Sequence, residues 1–289
     1  MNPFSFLTQM IRIAVPYLFA ASGGVIAERS GIISLALEGF MLSGAFGATL
    51  GAHYTGNPWV GVLTGILGGL IFGLIHAVAT IRYRADQVVV GIAINLLAIG
   101  ATRFFLKLAF ASSSNSPRIN GFDASQAAHG FDNPLLWIGL LVAPVLAFIL
   151  YRTRFGLRVR AVGEHPDAAE SVGIPVSRVR YVAVAVSGML AALGGVYLAL
   201  DQHQFTDQMT AGRGFIAVAA VIFGRWDPVR AALACLLFAA AETLQIQLQG
   251  NHIIPSQFVE MIPYVLTIVA LAGVVGRAVP PAALGKAEH

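Results

Sequence analysis

Cysteine is nearly missing: the one thiol in 289 residues is Cys235, set inside an apolar run, which excludes an internal disulfide and any cysteine-based metal site. Lysine is almost as scarce, with only Lys107 and Lys286, and neither ends a Gly-x-x-x-x-Gly-Lys-Ser/Thr phosphate loop. If ATP drives this protein, another chain binds it. Charge is low as well, 11% of residues against about 25% in an ordinary soluble domain. With 57% hydrophobic residues and a mean hydropathy of +0.75, a soluble fold could not hide its apolar surface. There is no His-Glu-x-x-His pair, no Gly-x-Ser-x-Gly elbow and no two histidines at metal-binding spacing on one helix, so no metal site is expected. The formal charge of +4 invites nucleic acid as a partner, but the basic residues sit at the ends of apolar segments and form no stripe interleaved with aromatics. Their positions report topology.

What the chain does have is long uncharged runs. No Asp, Glu, Lys or Arg occurs from Gly39 to Ile81, and further charge-free runs cover Gln87 to Thr102, Ala231 to Ala241 and Met261 to Gly276. Each is a membrane-spanning candidate. Helices are expected near 5–27, 34–53, 58–81, 87–108, 134–151, 179–200, 229–248 and 257–276, and the first reads as a retained helix because no basic segment precedes it. The apolar segment 214–224 has only about half of the roughly 20 residues a crossing needs, so it is a short broken helix or a re-entrant one. The expected fold is all-α: one polytopic membrane domain over residues 1–289, with about 8–10 transmembrane helices including broken or re-entrant segments.

The stretch from Arg152 to Arg180 is a polar island with six arginines, between the uncharged runs 133–151 and 181–200. Lys and Arg near membrane-spanning ends concentrate on the cytoplasmic side, which puts the loop 152–178 inside. Arg82, Arg84, Arg277 and the C-terminal tail then fall inside and the loop 109–133 outside, with Arg103 and Lys107 running against the trend near an outer end. The outer loop is either a contact for an external partner or a solvated connector. Within the island, Pro166, the acids Asp167 and Glu170, and Gly173 spell a short helix lying across the membrane face. It is a docking device or merely a connection.

Inside the membrane runs, Glu38 stands out, since an ionisable side chain at that depth is costly. The bland alternative pairs it with Arg29 or makes it a helix cap. Asn95 has a similar choice between lining a solute path and gluing helices together. Glu242, with Gln245 one turn on, gives the late helices a face that can meet water. The 31 glycines, as at Gly68-Gly69 and Gly194-Gly195, read first as close-packing positions. Two segments form a degenerate repeat: Glu28-Arg-Ser-Gly31 leading into Ile32 to Met41, and Ala211-Gly-Arg213-Gly214 leading into Phe215 to Gly224. Transporters are often built from inverted halves with glycine-interrupted helices in matching positions.

Three ordered motifs carry a resemblance: Glu28-Arg-Ser-Gly-Ile-Ile-Ser-Leu-Ala-Leu-Glu-Gly-Phe-Met-Leu-Ser-Gly-Ala-Phe46, Phe155-Gly-Leu-Arg-Val-Arg-Ala-Val-Gly-Glu-His-Pro-Asp-Ala-Ala169, and Ala211-Gly-Arg-Gly-Phe-Ile-Ala-Val-Ala-Ala-Val-Ile-Phe-Gly-Arg-Trp-Asp-Pro228. Together they resemble the permease subunits of bacterial ABC importers in the branched-chain amino acid and ribose permease superfamily, and within it the simple-sugar and nucleoside type. The resemblance implies a type II-like permease of the inner membrane with pseudo-inverted repeats. Its partners would be a second permease, two ATPase subunits that bind ATP and magnesium, and an external binding protein or lipoprotein. No cofactor would belong to this chain. By position, Gly163, Glu164, His165, Pro166, Asp167, Ala168 and Ala169 through Gly173 would be the coupling helix that fits the ATPase. Glu28 to Glu38 and Gly212-Arg213-Gly214 would belong to broken helices around the path, making Glu38, Asn95, Arg213 and Glu242 the pathway candidates. Ser34 departs from the family's usual Asn. The implied activity is ATP-driven alternating access for nucleosides or simple sugars. The alternative is a self-sufficient secondary transporter or channel coupled through Glu38 and Glu242; a membrane-embedded hydrolase lacks a nucleophile and base.

Overall fold

The computed structural model describes residues 3–122, 133–249 and 279–286. Among the described residues ten α-helices follow one another: α1 Pro3–Arg29, α2 Leu37–Thr55, α3 Pro58–Ala77, α4 Gln87–Phe110, α5 Pro134–Arg152, α6 Arg154–Glu164, α7 Pro166–Ser171, α8 Val176–Asp201, α9 Arg213–Phe223 and α10 Pro228–Leu248. A π-helical turn, Val78–Arg82, extends α3. No strand occurs among the described residues. Six of the helices are long and apolar enough to cross a membrane. The expected helix at 257–276, Arg277 and residues 123–132 of the outer loop lie outside the described residues.

The helix starts are written in the sequence. Asn57, Asn133 and Asp227 each precede a proline and accept a backbone N–H two residues on, and Asp86 does the same for Val88 and Val89. A proline at the first helical position lacks only an N–H that would have no partner there, while the cap satisfies the next one. In hydrocarbon such satisfaction matters more than in water.

Packing sets α2 at the centre, against α3 and α8, with α1 along α8 and then α9 and α10. Close approach is made by glycine: a Cβ on Gly195 of α8 would lie 1.8 Å from the Met41 carbonyl oxygen of α2, and one on Gly69 of α3 would lie 2.4 Å from the Gly188 oxygen of α8. Gly68-Gly69 and Gly194-Gly195 are therefore packing positions. The enclosed α2 carries the buried Glu38, because little of its surface faces lipid. Leu63, Leu67 and Ile71 of α3, Leu96 and Phe104 of α4, and Leu141 and Phe148 of α5 are exposed instead, as lipid-facing side chains are.

The two ends of the bundle are distinct. One gathers Arg29, the polar island, Ile81 packed near Tyr181, and residues 281–286, where the Ala283 N–H donates to the Gly163 carbonyl at 2.9 Å. The other gathers Gly56, which accepts from Asn120 at 3.2 Å, and Asp207, whose N–H donates to the Ser114 carbonyl at 2.8 Å. Arg103 at that end pairs with Asp207 at 2.7 Å, so its charge is matched locally. Within the island, α7 spans the short helix read from Pro166 and Gly173. Ahead of it, 154–164 is not loop but the amphipathic helix α6, with Gly156, Val159, Val162 and Gly163 inward and Arg154, Leu157 and Arg158 outward. Its arginines mask a helical period in the sequence.

Candidate functional site

Two chain breaks face each other. Residues 30–36 separate α1 from α2, and residues 202–212 separate α8 from α9. With 11 residues, α9 covers about 16 Å, roughly half of a 30 Å hydrocarbon layer. Its first backbone N–H groups therefore need a partner away from bulk water. Glu38, in the first turn of α2, supplies it: one carboxylate oxygen accepts from Thr210 Oγ1 at 2.5 Å and Gly212 N at 2.9 Å, the other from Gly214 N at 2.6 Å. A carboxylate also suits the positive end of the helix dipole.

The other end of α9 is held from the same break. Trp226 Nε1 donates to Glu28 at 2.5 Å, and the second Glu28 oxygen accepts from Ser34 N at 3.2 Å. The two repeat-like segments thus lie antiparallel, Glu28 against Trp226 and Glu38 against Thr210 to Gly214. Of the readings open for Glu38, pairing with Arg29 is not found. Arg29 Nε instead donates to the Trp226 carbonyl at 2.8 Å, and Arg29 Nη1 lies 3.9 Å from Glu164. Glu38 is a cap, but of a helix far along the chain.

Asn95 joins α4 to the first break. Its amide donates to the Leu35 carbonyl at 2.8 Å and accepts from Gly39 N at 2.8 Å, which satisfies backbone groups that the start of α2 leaves open. Glue and lining are not exclusive here. Glu38, Asn95, Ile99, Thr210, Gly212 and Phe215 border one cavity of about 360 Å³.

Arg213 and Glu242 form a second group. Arg213 Nη2 donates to one Glu242 oxygen at 3.0 Å, and Tyr17 Oη donates to the other. Arg213 borders a different cavity of about 580 Å³, along with the Arg12 to Asp201 ion pair at 2.8 Å, at the end of the bundle away from the island. The four pathway candidates therefore divide between two neighbouring sites.

At the island, the eight coupling candidates divide by burial. Gly163 and Ala169 point inward, Pro166 is half-buried, and Glu164, His165, Asp167, Ala168 and Gly173 are exposed. Gly163 sits where a Cβ would be 2.0 Å from the Arg29 carbonyl oxygen, so this corner presses directly on the end of α1. Gly173 has φ +81° with open space around its Cα, and its N–H donates to Glu170 at 2.9 Å, ending α7 in the left-handed conformation that glycine adopts most cheaply. Beside it Val172 is 74% exposed. The corner is a short projecting helix pinned by one alanine.

The family of permease components described as branched-chain amino acid transport system / permease component matches residues 6–271. This chain belongs to that family. Among the family's members it is 40% identical over 294 residues to the guanosine ABC transporter permease protein NupQ of Bacillus subtilis, covering 94% of this chain and 92% of that one. It is 37% identical over 306 residues to the nucleoside ABC transporter permease protein NupC of Lactococcus lactis, covering 96% and 95%. A second guanosine permease of Bacillus subtilis, NupP, is 23% identical over 277 residues, covering 89% of this chain and 78% of its own length.

Sequence reasoning placed Glu38 and Gly212 to Gly214 near the break of this permease but missed their partners. Trp226, Arg29 and Thr210 carry no signal alone: a tryptophan after Gly-Arg and an arginine at a helix end read as interface residues. The repeat was the signal that could have paired them, had Glu28 been set against Trp226.

Proposed function

We propose that this permease draws a nucleoside into the cell by ATP-driven alternating access. The observation that carries the reading is the 40% identity to a guanosine ABC permease over 94% of the chain, above the 33% to a putative glucose permease of Haloferax volcanii. The cavity at the break fits it: its lining combines the polar Glu38, Asn95 and Thr210 with the apolar Phe215 and Ile99, which suits a neutral solute with a flat ring and hydroxyls.

The working assembly in this reading pairs the chain with a second, different permease. Bacillus subtilis and Lactococcus lactis each have two relatives at well-separated identities, 40% and 23% in the one, 37% and 24% in the other. Two ATPase subunits bind ATP and magnesium on the cytoplasmic side, where the island, 281–286 and the corner from Gly163 to Gly173 lie. The exposed Glu164, His165, Asp167, Ala168 and Gly173 meet the ATPase, while an external binding protein or lipoprotein delivers solute to the opposite end. This chain performs no hydrolysis itself. Because ATP binding favours one arrangement of the ATPase pair, a grip on the corner shifts the populations of the outward and inward states.

The alternative of a secondary transporter coupled through Glu38 and Glu242 finds little support. Glu38 already accepts from three donors and Glu242 from Arg213 and Tyr17, so a driving ion would have to compete with these bonds. The test is uptake of radiolabelled guanosine and of glucose by cells with and without this chain. Guanosine uptake that requires the chain and ATP supports the proposal; uptake by the chain alone in liposomes under a proton or sodium gradient contradicts it.

A further inference from the structure

One cluster joins the corner to both breaks, and its members border neither of the two cavities described above. Arg225 and Trp226, which follow α9, both adopt left-handed backbone conformations, with φ of 52° and 56°. Two consecutive non-glycine residues in that region are strained and persist only where the surroundings hold them. Here they are held three ways: Trp226 is buried, its indole N–H donates to Glu28 at 2.5 Å, and its carbonyl accepts from Arg29 Nε at 2.8 Å.

We infer that Arg29 and Trp226 form the joint through which displacement of the α6–α7 corner reaches both broken helices, so that they are positioning residues for transport. The inference rests on the transport reading above. Its geometry is a continuous chain. Glu164 on the corner lies 3.9 Å from Arg29 Nη1, Arg29 grips the Trp226 carbonyl, and Trp226 grips Glu28, whose other oxygen holds Ser34 N in the first break at 3.2 Å. Gly163 leaves no room for the corner to slide past Arg29, since a Cβ there would already lie 2.0 Å from the Arg29 carbonyl oxygen. From Trp226, α9 runs as a rigid rod to Gly214, where Glu38 fixes it to the cavity wall at 2.6 Å. A push on the corner therefore moves one end of α9 and, through the rod, the part of the cavity wall formed by Thr210, Gly212 and Phe215.

Conservative variants isolate the joint. Trp226→Phe keeps an aromatic ring and removes the N–H; Arg29→Lys keeps a cation beside Glu164 and removes the guanidinium fork; Glu28→Gln keeps one acceptor oxygen and turns an NH2 toward the N–H of Trp226 or of Ser34, so it breaks one of the two bonds. In proteoliposomes holding the assembled transporter, guanosine or glucose uptake and ATP hydrolysis are measured in the same vesicles. Trp226→Phe and Arg29→Lys are expected to lower solute carried per ATP by about tenfold, within the range of coupling between sites. Hydrolysis itself should stay within about twofold, and Glu28→Gln, which loses one of the two bonds, should lower the ratio in the same direction. A purely structural role would lower uptake and hydrolysis together; an unchanged ratio in Trp226→Phe, by that route or any other, overturns the joint. Wild-type vesicles in which ATP drives no uptake of either solute overturn the transport reading, and the joint with it.

Discussion

The carboxylate of Glu38 holds the backbone N–H of Gly214 at 2.6 Å, across 176 residues of sequence. An acid in the first turn of one helix thereby caps the start of another, and the break after α1 and the break before α9 become a single structural unit. The pairing of Glu28 with Trp226 closes the unit at its other end.

Removing the cap tests that unit. Glu38→Ala leaves Thr210 Oγ1 and the N–H groups of Gly212 and Gly214 without an acceptor, and an unsatisfied buried polar group costs about 1–3 kcal/mol. A drop of several degrees in the thermal midpoint of the detergent-solubilised protein is expected. Glu38→Gln, which keeps an acceptor oxygen, should recover part of it.

The Arg213 and Glu242 pair should behave as a coupled pair. Arg213 and Glu242 are half-buried, so replacing one partner strands the other charge at less than the about 3–5 kcal/mol of a fully buried pair, whereas replacing both with apolar residues is often neutral. Glu242→Leu is therefore expected to destabilise more than the Arg213→Met, Glu242→Leu double variant. Thermal unfolding of the wild type, both single variants and the double variant gives the coupling energy directly.

Glycine packing gives a contrast between two positions. Gly195→Ala would place its Cβ 1.8 Å from the Met41 carbonyl oxygen, so α2 and α8 must separate, and overpacking of this kind costs about 1–3 kcal/mol or more. Gly100→Ala meets nothing within 4 Å and gains about 1 kcal/mol of helix propensity. Size-exclusion profiles after a heat step should show the first variant aggregating early and the second unchanged or improved.

Gly173 tests the projecting corner. Its φ of +81° with no neighbour within 4 Å means that a side chain there is opposed by backbone conformation alone. Gly173→Val is expected to unwind the end of α7 and reduce ATP-dependent uptake at least about tenfold with membrane insertion intact, while Gly173→Asn, which tolerates the left-handed region, retains most of it. Uptake by both variants at wild-type levels would show that the shape of α7 does not matter.

Much of this was legible in the sequence, for identifiable reasons. Asn57-Pro58, Asn133-Pro134 and Asp227-Pro228 mark helix starts by local chemistry, and charge-free runs mark the spans between them. Pro166 and Gly173 bracket α7 in the same way. The helical α6 was less visible because four of its eleven positions are arginine or glutamate, which hides the inward row of Gly156, Val159 and Gly163. Least visible was the partner of each polar group. Glu38 was recognisably costly in the membrane, but that its acceptors would serve Thr210, Gly212 and Gly214 depends on tertiary folding that no local pattern encodes.

Coupling to ATPase subunits requires the corner at Gly163 to Gly173 to face the cytoplasm, where they can hold it. His165→Cys places a thiol on that exposed corner, and the native Cys235 is buried and silent to a polar reagent. Labelling with a membrane-impermeant maleimide measures the side directly. The prediction is reaction in inside-out vesicles and none in intact cells; reaction in intact cells would contradict it.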